Sequence, residues 1–179
     1  MLAIDLVNPF DFPGAGSLLR QTRRVLPNIR RILRRAREAG VPVVYCNDNF
    51  GQWRSDLRSN VDLCAGDGAI GADVVREILP SPLDYFVLKP RHSAFFETPL
   101  RILLNQLGVE RLALVGIAAD ACVLNTALDA HARAYEVAVV RDAVAARTSA
   151  RTRRALELLR TDRPVRVIAT PSALRWIGA

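Results

Sequence analysis

Three residues with reactive side chains lie at or just after the ends of short apolar runs in this sequence. Asp5 lies in or near the end of the first run, Lys89 follows the third, and Cys122 follows the fourth in the stretch GIAADAC at residues 116–122. A thiol can attack a carbonyl carbon, and a carboxylate can take the thiol proton and return it to a leaving group. A nearby ammonium lowers the pKa of a thiol. These residue types therefore indicate covalent chemistry at Cys122, with Asp5 and Lys89 as its partners.

Each of these residues also has an ordinary interpretation. A cysteine at a helix start gains from the helix dipole and free backbone N–H groups, which favour a thiolate, but a lone cysteine is more often a small buried apolar residue. An aspartate near a strand end is usually a cap or turn residue. Lys89 is the one lysine among 25 lysines and arginines, so it is either a chance survivor or a site that needs a compact ammonium. Only the combination favours a site.

The elements that must position these side chains are predicted from hydrophobic patterning. Six short apolar runs alternate with helical patterns, and most are continuous, as expected for strands that are buried on both faces of a parallel sheet. The fold predicted is α/β, a three-layer, open parallel sheet of about six strands with helices on both faces, with ligands beyond the carboxyl ends of the strands. The predicted strands cover residues 2–7, 41–46, 85–88, 112–117, 137–140 and 165–169.

Helices are predicted between the strands. Pro27 is expected in the first turn of the first helix, and Cys122 at the start of the fourth. Residues 47–71 form the least regular stretch, and long loops of this kind are often functional. The predicted helices cover residues 28–39, 71–79, 98–107, 122–133 and 149–160.

Composition restricts the class of protein. The chain has 179 residues, of which 50% are hydrophobic and 24% charged, so we expect one globular domain over residues 1–179. The net charge is +7, but the basic residues are scattered and no nucleic-acid motif is present, so we expect no nucleic-acid partner. No apolar run is long enough for a membrane-spanning helix, and the first residues do not resemble a signal peptide, so we expect no membrane partner. Three cysteines without a CxxC pair suggest a reduced, cytoplasmic protein.

Four stretches of this sequence resemble the isochorismatase-like cysteine hydrolases, a family that includes nicotinamidases and N-carbamoylsarcosine amidase. The likeness covers nearly the whole chain in order, and the last two stretches are specific in combination. The stretches are AIDLVNPF at residues 3–10, VVYCND at residues 43–48, KPRHSAFFET at residues 89–98 and VGIAADACV at residues 115–123.

The resemblance implies a catalytic triad of Asp5, Lys89 and Cys122. It also implies a cis peptide bond between Ile117 and Ala118, which in the family turns backbone N–H groups toward the oxyanion. Here these would be the N–H groups of Ala118 and Cys122. The family often forms oligomers, so a homodimer or homotetramer is expected, with a small molecule as substrate and no cofactor.

Candidates for the substrate-binding wall are Phe10, Asn47 and Trp53. An aromatic residue on a loop that leaves a strand can line a pocket, although packing in the core or an interface is the alternative for Phe10 and Trp53. Nicotinamidase-like members carry an Asp-x-His metal motif after the second strand, whereas residues 47–50 read NDNF here. We therefore expect no metal site. His92 either rims the site or fills space, and His131 is expected to be an ordinary helix residue.

Three functions remain open. The first is hydrolysis of a C–N bond in a small amide or ureido compound through a thioester, in which Asp5 protonates the departing amine and then activates water. The second is hydrolysis of a vinyl ether, as in isochorismatases, a reaction for which no thiol nucleophile is needed. The third is a non-catalytic binding protein on the same scaffold.

Overall fold

The computed structural model describes residues 1–161 and 165–178 of the chain. Strands and helices alternate along these residues, as the hydrophobic pattern predicts. In chain order the elements are β1 (Leu2–Ile4), α1 (Ala15–Glu38), β2 (Val44–Asp48), α2 (Leu57–Ala65), α3 (Ala72–Glu77), β3 (Tyr85–Lys89), α4 (Leu100–Gln106), β4 (Arg111–Ile117), α5 (Leu124–Ala132), β5 (Glu136–Ala145), α6 (Ser149–Thr161), β6 (Arg166–Ile168) and α7 (Thr170–Gly178).

The strands form a parallel sheet. Among the described residues there are six strands in the order β3-β2-β1-β4-β5-β6, and each neighbouring pair is parallel. The predicted fold class, an open parallel sheet with helices on both faces, is confirmed. Because β1 lies at the centre, the chain reverses its direction of winding beside β1, and a crevice at such a reversal is where ligands bind in open α/β sheets.

Both faces of the sheet are covered by helices. Ala3 packs into a core on the side of α1, α3 and α7, whereas its neighbours Leu2 and Ile4 pack into a second core on the side of α4, α5 and α6. Burial on both faces is the physical reason why the central strands read as continuous apolar runs. None of the helices in the described ranges is long and apolar enough to cross a lipid bilayer.

The first helix differs from its prediction. It begins at Ala15 and contains Pro27 in its interior, whereas the sequence pattern placed Pro27 in the first turn of a shorter helix. The buried stripe of α1 extends back to Ala15, so apolar packing stabilises the additional turns. Proline has no N–H to donate to the carbonyl group four residues earlier in the helix. Because this side of α1 is exposed, water can hydrate that carbonyl group.

Two helices were missed, and the helix expected to start at Cys122 begins later than predicted. The stretch 47–71, expected to be irregular, contains α2, whose N-cap Asp56 accepts a hydrogen bond from the Ser59 N–H at 2.7 Å. That Asp-x-x-Ser pattern was a usable cap signal. Helix α7 also went unpredicted. Cys122 does not start a regular helix, because it lies inside a π-helical turn, Ala119–Val123, and α5 follows from Leu124.

Candidate active site

The predicted triad comes together at the carboxyl edge of the sheet. Lys89 Nζ lies 2.9 Å from Asp5 Oδ2 and 3.4 Å from Cys122 Sγ. Asp5 follows β1, Cys122 follows β4, and Lys89 ends β3, which is separated from β1 by β2. The side chain from β3 therefore spans the neighbouring strand, and the long methylene stem of a lysine allows this.

Asp5 is held by the backbone of β2. Its own N–H donates to the Cys46 carbonyl oxygen at 2.9 Å, and its Oδ1 accepts from the Asp48 N–H at 2.8 Å. Its other carboxylate oxygen, Oδ2, forms an ion pair with the Lys89 ammonium. The backbone of Asp5 is left-handed, with a φ of 48°, where the chain leaves β1. With both oxygens engaged and 5% of the residue exposed, the carboxylate has a defined orientation.

Lys89 is a fully buried cation. It has 0% exposure, and its ammonium also donates to the Arg91 carbonyl oxygen at 3.2 Å. Burial by itself lowers the pKa of Lys89, but the negative charge of Asp5 and the proximity of Cys122 outweigh burial and raise the pKa above its usual value. Lys89 therefore stays protonated at neutral pH and supplies a fixed positive charge between the acid and the thiol.

The pKa of the Cys122 thiol is raised, to about 12, which corrects the expectation that the helix start and Lys89 would lower it. Burial is the main cause, the negative charge of Asp5 adds to it, and Lys89 opposes both. The residue is 8% exposed. Burial also raises the pKa of Asp5, which Lys89 partly offsets. The thiol therefore keeps its proton until attack, and Asp5, whose carboxylate shares the Lys89 ammonium with the sulfur, is the candidate to receive it.

His92 is a further polar neighbour of the sulfur. Its Nδ1 lies 3.7 Å from Cys122 Sγ, so of the two alternatives for this residue the structure favours the rim of the site. His92 is exposed and lines a cavity of about 910 Å³ between the loop after β3 and one face of α5. His131 is a residue of α5, as predicted, and lines the same cavity.

The three predicted substrate-wall residues are not brought together. Trp53 is 81% exposed and lines a second cavity of about 560 Å³, which also contains Phe96. Asn47 is fully buried in β2, where its amide donates to the Val7 carbonyl oxygen at 2.6 Å. Phe10 is buried in the core, and its ring lies so close to Gly71 that a Cβ there would clash with it. The surroundings of Phe10 favour the packing role that the sequence left as its alternative.

The polar side chains at the end of β2 and directly after it accept hydrogen bonds from the backbone of their own loop. Asp48 Oδ1 accepts from the Phe50 N–H at 2.7 Å, and Asn49 Oδ1 accepts from the Gly51 N–H at 3.0 Å, as in Asx turns. Across residues 1–161 and 165–178, no group of three or more His, Cys, Asp or Glu side chains could hold a metal ion. The backbone N–H of Asp48, which orients Asp5, is a part of the site that no side-chain pattern could reveal.

Nearly the whole chain matches one protein family. A model of the isochorismatase domain matches residues 1–172. The chain belongs to the isochorismatase family. The uncharacterized isochorismatase family protein YaaI of Bacillus subtilis (strain 168) is 36% identical over 145 residues, which are 81% of this chain and 79% of the relative. The probable inactive nicotinamidase At3g16190 of Arabidopsis thaliana is 32% identical over 158 residues, 83% of this chain and 81% of the relative.

Solved structures of isochorismatase-like proteins share the fold. An isochorismatase family protein from Desulfovibrio vulgaris superimposes with a TM-score of 0.79 and 27% identity over 99% of this chain and 97% of that chain. N-carbamoylsarcosine amidase from Thermoplasma acidophilum superimposes with a TM-score of 0.68 and 29% identity over 94% of each chain. The predicted family is therefore confirmed, and isochorismatase-like hydrolases are the relatives of this chain.

Proposed function

We propose that the protein is a cysteine hydrolase that cleaves a C–N bond in a small amide or ureido compound through a thioester. The observation that carries this proposal is the position of the Lys89 ammonium, 2.9 Å from Asp5 Oδ2 and 3.4 Å from Cys122 Sγ. A buried acid, a cation and a thiol at the carboxyl ends of three strands of one sheet are the groups that acyl transfer to sulfur requires.

In the first half of the reaction the sulfur attacks the carbonyl carbon of the substrate while the thiol proton passes to Asp5. Because the pKa of the thiol is raised to about 12, attack and proton transfer occur together. The backbone N–H groups of Ala118 and Cys122 stabilise the oxyanion. As the C–N bond breaks, Asp5 gives the proton to the departing nitrogen, and a thioester on Cys122 remains.

Two other functions are compatible with the family. Hydrolysis of a vinyl ether needs no thiol nucleophile, so the cluster of Lys89, Asp5 and His92 around the Cys122 sulfur favours amide chemistry. A non-catalytic role on the same scaffold is raised by the Arabidopsis relative, which is named a probable inactive nicotinamidase. All three triad side chains are present, and Lys89 contacts both Asp5 and Cys122, which favours an active enzyme.

The test is a screen of small amides and ureido compounds for ammonia release, followed by Cys122→Ala. We expect the alanine variant to stay folded and to lose at least about a thousandfold in rate, as nucleophile variants of covalent hydrolases do. Cys64→Ala is the matched control, because Cys64 is buried in α2, outside the triad, and should leave the rate unchanged. Retention of a tenth of the wild-type rate in Cys122→Ala would end the nucleophile assignment.

A further inference from the structure

Three partners surround the ammonium group of Lys89. It lies 2.9 Å from Asp5 Oδ2 and 3.4 Å from Cys122 Sγ, and it donates to the Arg91 carbonyl oxygen at 3.2 Å. A further carboxylate oxygen, Asp48 Oδ2, is 3.9 Å away, which is beyond hydrogen-bond distance. An ammonium group has three N–H donors, and here each has one partner. The Arg91 carbonyl group therefore fixes the rotation that directs the other two donors to the acid and the thiol.

The Arg91 carbonyl group belongs to the loop segment directly after β3, and this segment is held by α5. The Ala94 N–H donates to Thr126 Oγ1 at 3.0 Å, and the Ser93 hydroxyl donates to Asp129 Oδ2 at 2.5 Å. Ala94 and Thr126 both have 0% exposure, so loss of the Thr126 oxygen would leave a buried N–H group without a partner. These two hydrogen bonds keep the segment, and with it the carbonyl group, in place beside α5.

The same stretch of chain also carries the nucleophile. Cys122 lies in the π-helical turn that leads into α5, and Thr126 and Asp129 follow it by four and seven residues. The Cys122 sulfur contacts the segment after β3 as well, through His92 Nδ1 at 3.7 Å. The chain from the turn into α5 therefore both presents the sulfur and holds the carbonyl group that orients Lys89.

The hydrogen bond of Thr126 differs from that of another buried threonine. Thr22 in α1 also has 0% exposure, but its hydroxyl donates to the Leu18 carbonyl oxygen of its own helix, at 2.9 Å. Such a bond can form in any helix and connects no distant segments. Thr126 instead accepts from Ala94, which lies 32 residues earlier in the chain. The Thr126 hydroxyl therefore links two parts of the fold that meet at the site.

We propose that Thr126 is a positioning residue of the acyl transfer: its hydroxyl oxygen holds the segment after β3 so that the Arg91 carbonyl group orients the Lys89 ammonium toward the acid and the thiol. Asp129 supports the same segment through Ser93. This role rests on the proposed function, because the reaction that it serves is transfer of an acyl group to sulfur. Without the Thr126 oxygen the segment can shift, the ammonium loses its third partner, and its contacts with the other two become less well defined.

The experiment measures acyl transfer to the full-length protein with 4-nitrophenyl acetate, an activated ester. When the Cys122 sulfur attacks it, a C–S bond forms, the ester C–O bond breaks and 4-nitrophenolate leaves, while the thiol proton passes to Asp5. Release of the first equivalent of nitrophenolate is followed by absorbance, the acetyl adduct is checked by intact mass, and the rate in Cys122→Ala is subtracted. The variants are Thr126→Val, which removes the hydroxyl, and Thr126→Ser, which keeps it. Thr22→Val is the matched control, since it removes a hydroxyl of equal burial.

We expect the maximal rate per folded molecule of Thr126→Val to fall at least about tenfold, the factor that corresponds to the loss of one hydrogen bond to a charged group. The ester concentration that gives half of that rate should not change, because the role concerns the transition state and not binding. Thr126→Ser should keep a rate near that of the wild type. Thr22→Val should lower the thermal midpoint but keep the wild-type rate. If Thr126→Val does not fold, Ser93→Ala tests the same segment from a half-buried position and should also lower the rate.

Several results would overturn the proposal. A wild-type rate per folded molecule in Thr126→Val, or in Ser93→Ala where Thr126→Val does not fold, would leave the segment a structural role only and the proposed function intact. A slow Thr126→Ser would show that the hydroxyl is not the group that matters, and an equal loss of rate in Thr22→Val would assign the effect to lower stability. If Cys122→Ala releases nitrophenolate as fast as the wild type, and no amide is hydrolysed, the proposed function itself fails, and the role of Thr126 fails with it.

Discussion

The buried ion pair between Lys89 and Asp5 makes Lys89→Met the most informative substitution for stability. Methionine keeps approximately the length and volume of the lysine stem and removes the charge. In the protein, Lys89 is fully enclosed, and its ammonium lies 2.9 Å from Asp5 Oδ2. The variant leaves Asp5 with one hydrogen bond, from the Asp48 N–H, and no compensating cation.

The expected loss is large because the partner charge stays buried. Removing one member of a buried ion pair typically costs about 3–5 kcal/mol in the free energy of unfolding. Asp5 keeps its backbone hydrogen bond and can take up a proton, so we expect the lower end, about 3 kcal/mol near neutral pH. Arg23→Met is the matched control. It also removes a cation from a carboxylate, at 2.7 Å, but both side chains are about half exposed, so it should cost no more than about 1 kcal/mol.

The loss should depend on pH with a definite sign. Folding already raises the pKa of Asp5 above 3.8, chiefly through burial, so the folded state binds the proton more tightly than the unfolded state does. The cost of the charged carboxylate therefore appears as the pH rises from 3.8 through the folded pKa. Without Lys89 that pKa rises further. The loss of free energy of unfolding in Lys89→Met, relative to wild type, should therefore be smaller at about pH 5 than at about pH 8.

The assay is urea unfolding of wild type, Lys89→Met, Arg23→Met and the double variant Asp5→Asn/Lys89→Met at both pH values. The double variant has no buried charge to compensate, so it should be more stable than Lys89→Met alone at the higher pH. A deficit in Lys89→Met no larger than that in Arg23→Met would show that the ion pair does not hold Asp5. A deficit independent of pH would refute the electrostatic explanation.

Two further predictions concern Gly116, near the end of β4, and the dependence of activity on metal. Gly116→Ala should lower the free energy of unfolding by more than about 3 kcal/mol in urea titrations, because Gly116 has a φ of 120° and an added Cβ would overlap the Ile4 carbonyl oxygen. A change below about 1 kcal/mol would show that the two strands can separate at this point. Chelation should leave the rate of amide hydrolysis unchanged, because residues 47–50 read NDNF in place of the Asp-x-His metal motif. Elemental analysis that finds stoichiometric zinc or iron would contradict this prediction. So would a loss of activity on chelation that added metal restores.

The sequence predicted which residues meet at the site, but not how their surroundings in the fold change the pKa of the thiol. The continuous apolar runs follow from burial on both faces of the sheet, and the carboxyl ends of parallel strands share one edge, so Asp5, Lys89 and Cys122 could be assigned to one place. The pKa of the Cys122 thiol could not be predicted in the same way. A local argument from a helix start lowers the pKa, whereas burial and the charge of Asp5, both products of the tertiary fold, raise it.

The substrate-wall predictions show a second limit. Phe10 and Trp53 have similar chemistry and both lie on loops after strands, yet one is buried in the core and the other is 81% exposed at a cavity. Which way a loop folds back depends on the elements that it meets, and Phe10 meets Gly71, far along the chain. The role of His92 could not be decided either, because its contact with the sulfur depends on where α5 packs against the loop after β3.

By itself the sequence determined which residue types are available at the edge of the sheet and which segments form the sheet, since side-chain chemistry and hydrophobic periodicity are local properties. Tertiary structure decided everything that depends on distance. The strand order β3-β2-β1-β4 places Lys89 within reach of both Asp5 and Cys122, although these residues are separated by long stretches of chain. The same packing buries the Cys122 sulfur and leaves His92, which contacts it, exposed, because burial is a property of the whole fold.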